Sequence, residues 1–192
     1  MAAGKEPGAA QRFTPHRPIV MIGPMAVGKS VIGAELARVL GVEFIDSDHK
    51  IVAKHGPIPR IFDARGEHHF RQLEARAIAD VLDSQQPKPV VLSLGGGAVL
   101  DSGTQQLLAR ATVVFLNADV ETVRERILRN TGRPLLATDP VATWQRLAGV
   151  RGPVYARLAN ITLDVSNSNV PQLVARLIDL LEAESRKENS AQ

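Results

Sequence analysis

One glycine-bearing segment matches the G-x-x-x-x-G-K-[ST] pattern of a phosphate-binding loop. It reads Gly23-Pro24-Met25-Ala26-Val27-Gly28-Lys29-Ser30. Such a loop curls so that successive backbone N–H groups point at phosphate oxygens, and glycine tolerates the dihedral angles that this curl needs. We expect Lys29 to reach the β- and γ-phosphates of a nucleotide and the Ser30 hydroxyl to bind Mg²⁺. A chance match is the alternative, but a buried strand precedes the loop and an amphipathic helix follows it.

Two carboxylates, Asp46 and Asp48, follow the second predicted strand. In an open parallel sheet the ligand crevice lies outside the carboxyl ends of the strands, so both should face the phosphate loop. One could hold the metal through water, and the other could accept a proton from a substrate hydroxyl. The alternative is that Asp48 or Ser47 caps the helix that follows.

Glycines and arginines add further candidates. Gly95-Gly96-Gly97 follows another predicted strand, and without Cβ atoms these residues let a ligand approach backbone amides; a flexible connection is the alternative. Arg71, Arg133 and Arg151 lie on separate elements, and the planar fork of arginine suits carboxylates and phosphates. Taken singly, each arginine is more often a solvated surface residue.

Strands that alternate with helices must position these residues. Strands are predicted at 18–23, 42–45, 89–94, 112–116 and 161–165. Helices are predicted at 29–40, 48–55, 60–63, 67–82, 102–110, 120–129, 141–158 with a break at Gly152-Pro153, and 170–184. This spacing is typical of βαβ units, and the strands are apolar nearly throughout, as expected when helices cover both faces. We therefore predict an α/β fold with three layers, α/β/α, around a parallel sheet.

Composition narrows the class of protein. The chain has 192 residues, 44% hydrophobic and 22% charged, which fits one globular domain and excludes a disordered or fibrous chain. The absence of cysteine excludes disulfides and thiol catalysis and suits a reducing cytosol. A net charge of +3 and 4% aromatic residues provide too little basic charge and too few stacking side chains for a typical nucleic-acid binding surface. Trp144 and Tyr155 are interpreted as packing residues.

We predict a single domain over 18–184, with a disordered tail at 1–17 and a flexible tail at 185–192. The segment 130–140 contains glycine and two prolines and is predicted as a loop. No apolar stretch approaches the roughly 20 residues of a membrane helix. We expect no membrane partner and a cytoplasmic monomer.

Together the motifs resemble those of bacterial shikimate kinase. The matching blocks follow in the family's order, at near-family spacing, from about Pro18 to Leu181. Besides the phosphate loop they are Asp46-Ser47-Asp48, Gly66-Glu67-x-x-Phe70-Arg71-x-x-Glu74, Gly95-Gly96-Gly97-Ala98-Val99, Arg133-Pro134-Leu135-Leu136 and Arg151-x-Pro153-x-Tyr155. The arginine motifs distinguish this family from other small-molecule kinases of the same fold.

The resemblance implies a nucleoside-monophosphate-kinase-like fold with a five-stranded parallel sheet and a mobile lid. It implies transfer of the γ-phosphoryl of ATP to the 3-hydroxyl of shikimate, with Mg²⁺, in aromatic amino-acid (chorismate) biosynthesis. Shikimate and ATP are then the partners, with no nucleic acid.

The resemblance also implies roles for single residues. On the nucleotide side, residues 23–31 and Arg126 bind ATP, Ser30 binds the metal, and Asp46 reaches the metal through water. Arg133, in the lid at 130–140, contacts the phosphates, and with Lys29 it is catalytic.

On the acceptor side, Asp48 holds substrate hydroxyls and acts as the base. Arg71 and Arg151 clamp the carboxylate of shikimate. The glycines Gly95, Gly96 and Gly97 bind the substrate through the backbone.

The chain departs from the family pattern in two places. Val31 stands where the family mostly has threonine, and the segment 164–169 lacks the arginine often found near the adenine. The other adenine-flanking arginine is Arg126 or Arg129, and nucleotide preference stays open. A kinase of another small polyol acid, such as gluconate, is the alternative function. A non-catalytic nucleotide-binding regulator would be expected to lack Lys29, Asp48 or the lid arginine, and all three are present.

Overall fold

Five short strands form one parallel sheet. They are β1 (Ile19–Ile22), β2 (Glu43–Asp46), β3 (Val90–Ser93), β4 (Thr112–Asn117) and β5 (Ile161–Asp164). Their spatial order is β2-β3-β1-β4-β5, with every neighbouring pair parallel. The structure is a computed structural model that describes residues 13–83, 88–129 and 139–190. The predicted α/β fold with a parallel sheet is confirmed.

Seven helices connect and cover the strands within the described part of the chain. They are α1 (Lys29–Leu40), α2 (Ser47–His55), α3 (Ile58–Leu82), α4 (Ser102–Leu108), α5 (Val120–Arg129), α6 (Pro140–Leu158) and α7 (Val170–Ser190). None of the described helices is long and apolar enough to cross a membrane.

Alternating strand residues point to opposite faces of the sheet, as the pleat requires. In β1, Ile19 and Met21 join a core cluster with α1, α5 and α7, whereas Val20 and Ile22 join a second cluster with α3 and α4. Both faces of the central strand are therefore covered. A smaller third cluster joins α2 to α3 around Ile51 and Phe70.

Several helix boundaries in the structure differ from those predicted from the sequence. The predicted helices at 60–63 and 67–82 belong to one segment, α3, with a kink at Gly66, whose φ of 76° is left-handed. The predicted break at Gly152-Pro153 is wrong, because α6 runs through both residues. Helix α7 continues beyond the predicted end at Glu184 to Ser190.

Ordered contacts begin before the first strand. Phe13 packs against the first core cluster, and Arg17 donates to Thr112 and pairs with Glu188 of α7. Residues 13–17 of the predicted tail therefore pack against the domain. The predicted loop at 130–140 lies outside the described residues up to position 138, and Arg133 lies there with it.

Candidate active site

A cleft of about 470 Å³ opens at the carboxyl ends of β1, β2 and β3. The strand order produces it, because the chain leaves β1 toward one edge of the sheet and leaves β3 toward the other. Most of the residues predicted from the sequence line it. They are Met25, Ala26, Gly28, Lys29, Ser30, Val31, Asp46, Asp48, Arg71, Gly95, Gly96, Gly97, Arg126 and Arg151.

Three predicted loop residues have other positions. The carbonyls of Gly23 and Pro24 accept hydrogen bonds from Lys29, and the Val27 side chain is buried in the first core cluster. Gly23 has a φ of 138°, and a Cβ there would overlap with the Leu116 carbonyl oxygen. Only glycine fits that position, which fixes where the loop leaves β1.

The Lys29 ammonium lies inside the curl of the phosphate loop. Nζ donates to the Gly23 carbonyl at 2.9 Å and to the Pro24 carbonyl at 2.7 Å, and the residue is 8% exposed. Helix α1 begins at Lys29, so the amides of its first turn face the same space. The loop thus concentrates positive charge where an anion would lie.

Asp46 joins the phosphate loop to α2. Its Oδ2 accepts from the Ser30 hydroxyl at 2.5 Å, and its Oδ1 accepts from the backbone N–H groups of Asp48 and His49. Asp46 is therefore the N-cap of α2, and the alternative that Asp48 or Ser47 caps this helix is wrong. Ser47 instead accepts the Gly95 N–H at 3.1 Å.

Arg71 is held by two glutamates on its own helix. Nη1 donates to Glu74 Oε2 at 2.6 Å, and Nη2 and Nε donate to Glu67 Oε1 at 3.0 and 3.3 Å. The guanidinium carbon also lies 5.2 Å from the centre of the Phe70 ring. These contacts fix the plane of the arginine at the cleft wall.

Glu74 is a site residue that received no role from the sequence. It is 1% exposed and lies between Arg71 and Asp48. Burial raises the pKa of Glu74, and the Asp48 charge adds to this, against the lowering effect of Arg71. The i,i+3 spacing of Arg71 and Glu74 predicts an ion pair on one helix. The burial of Glu74 cannot be predicted from that spacing.

The three glycines after β3 pack tightly against charged side chains. A Cβ at Gly95 would overlap with Glu74 Oε1 and lie 3.0 Å from Asp48 Oδ1, and one at Gly97 would lie 2.5 Å from the Arg71 guanidinium carbon. The segment is therefore more than a flexible connection. Glycine is required here because side chains from α2 and α3 reach the backbone itself.

Helix α6 brings Arg151 and Tyr155 to the same end of the cleft. Arg151 is 6% exposed and Tyr155 is 1% exposed, and the Tyr155 hydroxyl donates to the Gly96 carbonyl at 2.5 Å. Burial raises the pKa of Tyr155 to about 12, although the neighbouring Arg151 opposes the shift. The hydroxyl is therefore a neutral donor at every physiological pH.

The two candidate adenine-flanking arginines occupy different environments. Arg126 donates to the Ala26 carbonyl at 3.3 Å and so lies over the phosphate loop. Arg129 pairs with Glu125 at 2.7 Å, and its side chain is 80% exposed. Of the two arginines, Arg126 is the one beside the phosphate loop.

A phosphate loop and a pair of carboxylates at the switch point of a parallel sheet define a P-loop kinase of small molecules. A family model described as shikimate kinase matches residues 25–182. A shikimate kinase of Bordetella pertussis is 41% identical over 189 residues, which covers 96% of this chain and 87% of the relative. The chain belongs to the shikimate kinase family.

Solved structures agree with this assignment. Shikimate kinase from Acinetobacter baumannii in complex with shikimate superposes with a TM-score of 0.82 at 34% identity, over 87% of this chain and 93% of that one. A gluconokinase from Sinorhizobium meliloti reaches a TM-score of 0.64 at 23% identity, over 95% of this chain and 100% of that one. The second likeness shows the fold alone, so the gluconate alternative is the weaker fit.

Proposed function

We propose that the chain transfers the γ-phosphoryl of ATP to the 3-hydroxyl of shikimate, giving shikimate 3-phosphate and ADP. One observation carries the proposal. The cleft has a phosphate loop at one end, two buried or half-buried arginines at the other, and Asp48 among its lining residues. Such an arrangement suits one anionic donor and one small acidic acceptor.

Arg71 retains donors for a substrate carboxylate. A guanidinium has five N–H groups, and within the described residues three of them donate to Glu67 and Glu74. One N–H remains on each terminal nitrogen, and these two groups can donate to a further acceptor. We assign Arg71 and Arg151 to the carboxylate, and the backbone of Gly95–Gly97 to the ring that carries it.

Asp48 is the group proposed to accept the proton. Its Oδ1 lies against the Gly95 backbone, and its charge reaches the buried Glu74. In the proposed step the bond from the γ-phosphorus to the β-phosphate oxygen breaks, and a bond to the 3-hydroxyl oxygen forms. The hydroxyl proton moves to Asp48, while Lys29 stabilises charge on the transferred group.

The residues present fit a magnesium ion. The Ser30 hydroxyl and the Asp46 carboxylate meet at 2.5 Å beside the phosphate loop, and both are hard oxygen ligands. Among the described residues no group of three or more acidic, histidine or cysteine side chains could hold a metal. Mg²⁺ keeps several waters and takes substrate phosphates as ligands, so it needs only one or two ligands from the protein. When bound, it would neutralise charge on the β- and γ-phosphates.

Some expectations from the sequence stay predictions. The catalytic role of Arg133 lies outside the described residues, and the cytoplasmic location and the monomeric state stay predictions from the sequence.

An ADP-release assay with a panel of acceptors tests the function. Shikimate, gluconate and a nucleoside monophosphate are compared at equal concentration with ATP and Mg²⁺. We expect ADP formation to need shikimate, with the phosphate found on the 3-hydroxyl by ³¹P–¹H correlation NMR. Faster turnover with gluconate, or ADP formation that is indifferent to the acceptor, would overturn the proposal.

A further inference from the structure

Three side chains of helix α6 are buried: Trp144, Arg151 and Tyr155. They are spaced i, i+7 and i+11, which places them on one face of a continuous helix. Trp144 and Tyr155 are separated by roughly 16 Å along the axis, at 1.5 Å per residue. One rigid element therefore extends from the nucleotide end of the cleft to the acceptor end.

At the nucleotide end, Trp144 bonds to the phosphate loop itself. Its indole Nε1–H donates to the Met25 carbonyl at 2.8 Å, and the residue is 4% exposed. The next residue, Ala26, has a φ of 66°, a left-handed conformation that is unfavourable for a residue with a Cβ. A strained conformation persists only where its surroundings fix it, and the Trp144 bond fixes the peptide plane that precedes Ala26.

At the acceptor end, Tyr155 bonds to the glycine segment in the same manner. Its hydroxyl donates to the Gly96 carbonyl at 2.5 Å. Because a trans peptide is planar, its carbonyl and the following N–H point in opposite directions. Holding the Gly96 carbonyl toward α6 therefore aims the Gly97 N–H away from α6. The Trp144 bond likewise sets the direction of the Ala26 N–H.

We propose that Trp144 and Tyr155 are positioning residues for the two substrates, Trp144 for the nucleotide and Tyr155 for the acceptor. This inference rests on the proposed function. Each side chain orients one peptide plane in a binding loop, and α6 sets the two planes in a fixed relation to each other. The helix thus fixes the position of the phosphoryl donor relative to the acceptor. Arg151 lies between Trp144 and Tyr155 along the helix.

Two substitutions separate the roles, and each removes one hydrogen-bond donor. Tyr155→Phe removes only the hydroxyl, and we expect it to raise the KM for shikimate roughly fivefold, the size of one lost hydrogen bond, with the KM for ATP within twofold. Trp144→Phe removes the N–H together with part of the buried indole ring, and we expect the reverse pattern of similar size. Val154→Ala is the matched control on the same helix, because the Val154 side chain has no hydrogen-bond donor and packs against the second core cluster.

Direct binding titrations with ADP and with shikimate, on protein that is not turning over, give a readout that does not depend on catalysis. The same crossed pattern should appear in the two Kd values. If the wild type binds both ligands but transfers no phosphoryl group, the proposed function fails, and the titrations still test the positioning roles.

Folding is checked by Tm and circular dichroism. The chain has a single tryptophan and a single tyrosine, so analogue incorporation changes one site each. Should Trp144→Phe fail to fold, benzothienylalanine keeps the indole shape without the N–H donor. Should Tyr155→Phe fail, 4-aminophenylalanine keeps a donor and should restore the shikimate KM. The inference is overturned if folded variants change both KM values equally, change neither, or behave like Val154→Ala.

Discussion

The two halves of the cleft are built in different ways. The nucleotide half is residues 23–30, one stretch of backbone that curls around the buried Lys29, with Arg126 of α5 over it. The acceptor half, Asp48, Arg71, Glu74, Gly95–Gly97 and Arg151, takes side chains from three helices and closes them onto one glycine segment. Phosphate binding is generic, whereas the selection of one small acid depends on how distant elements pack. Changes in the two halves should therefore affect different kinetic constants.

The largest effect is expected in the nucleotide half. Lys29→Ala should lower kcat by about 10²- to 10³-fold, because the ammonium stabilises charge on the transferred phosphoryl. The measurement is the ADP-release rate at saturating shikimate, with the fold checked by circular dichroism. Lys54→Ala, an exposed lysine of α2, is the control and should stay within twofold. A Lys29→Ala enzyme that keeps more than a tenth of the wild-type rate would contradict the assignment of the phosphate loop.

Asp48→Asn tests the acceptor half at the residue proposed to accept the proton. The change keeps the size and removes the base, so we expect kcat to fall by about 10²-fold, the low end for general acid–base groups. The rate is measured by ADP release across pH. Asp63→Asn, on the exposed side of α3, provides the comparison and should leave kcat unchanged. A drop of less than tenfold in a folded Asp48→Asn enzyme would remove Asp48 from the proton transfer.

The acceptor arginines should affect one substrate only. Arg71→Lys and Arg151→Lys should each raise the KM for shikimate about tenfold, because lysine keeps the charge but loses the fork. The KM for ATP should stay within twofold, measured by varying each substrate in turn. Arg76→Lys, about one and a half turns along α3 and outside the cleft, is the matched control. Equal rises in both KM values would make Arg71 and Arg151 structural residues.

The smallest effect concerns the stability of the acceptor half. Burial raises the pKa of Glu74 above its ordinary value of 4.5. The Glu74 carboxyl group therefore stays protonated to a higher pH in the folded state than in the unfolded state. Folding stability then falls as pH rises from 4.5 toward the folded pKa. We expect the free energy of unfolding of the wild type, minus that of Glu74→Gln, to decrease over this range in urea titrations. An increase would mean that the Arg71 ion pair outweighs burial.

The nucleotide half could be predicted from the sequence because its contacts are local. Lys29 and the carbonyls it bonds lie within one loop, and the loop follows a strand that is easily recognised. The acceptor half was predicted only as a set of candidates. The partners of Ser47 and Tyr155 lie in the segment 95–97, far away in sequence, so their hydrogen bonds depend on the packed fold.

Local rules failed where tertiary packing outweighed them. Gly152-Pro153 is typical of a helix end, yet α6 continues because Arg151 and Tyr155 are buried on either side of the pair. Pro153 itself is exposed, where the loss of one backbone hydrogen bond is tolerated. The sequence places Glu74 in a motif but assigns it no role, because nothing in the sequence shows that its carboxylate is buried beside Asp48.

The most direct test of the account is whether the acceptor arginines act on the carboxylate of shikimate. The measurement is kcat/KM for shikimate and for its methyl ester, in the wild type and in Arg71→Lys and Arg151→Lys. We predict that each substitution lowers kcat/KM about tenfold with shikimate and less than twofold with the ester, because the ester has no charge for the fork to bind. An equal loss with both acceptors would contradict the account.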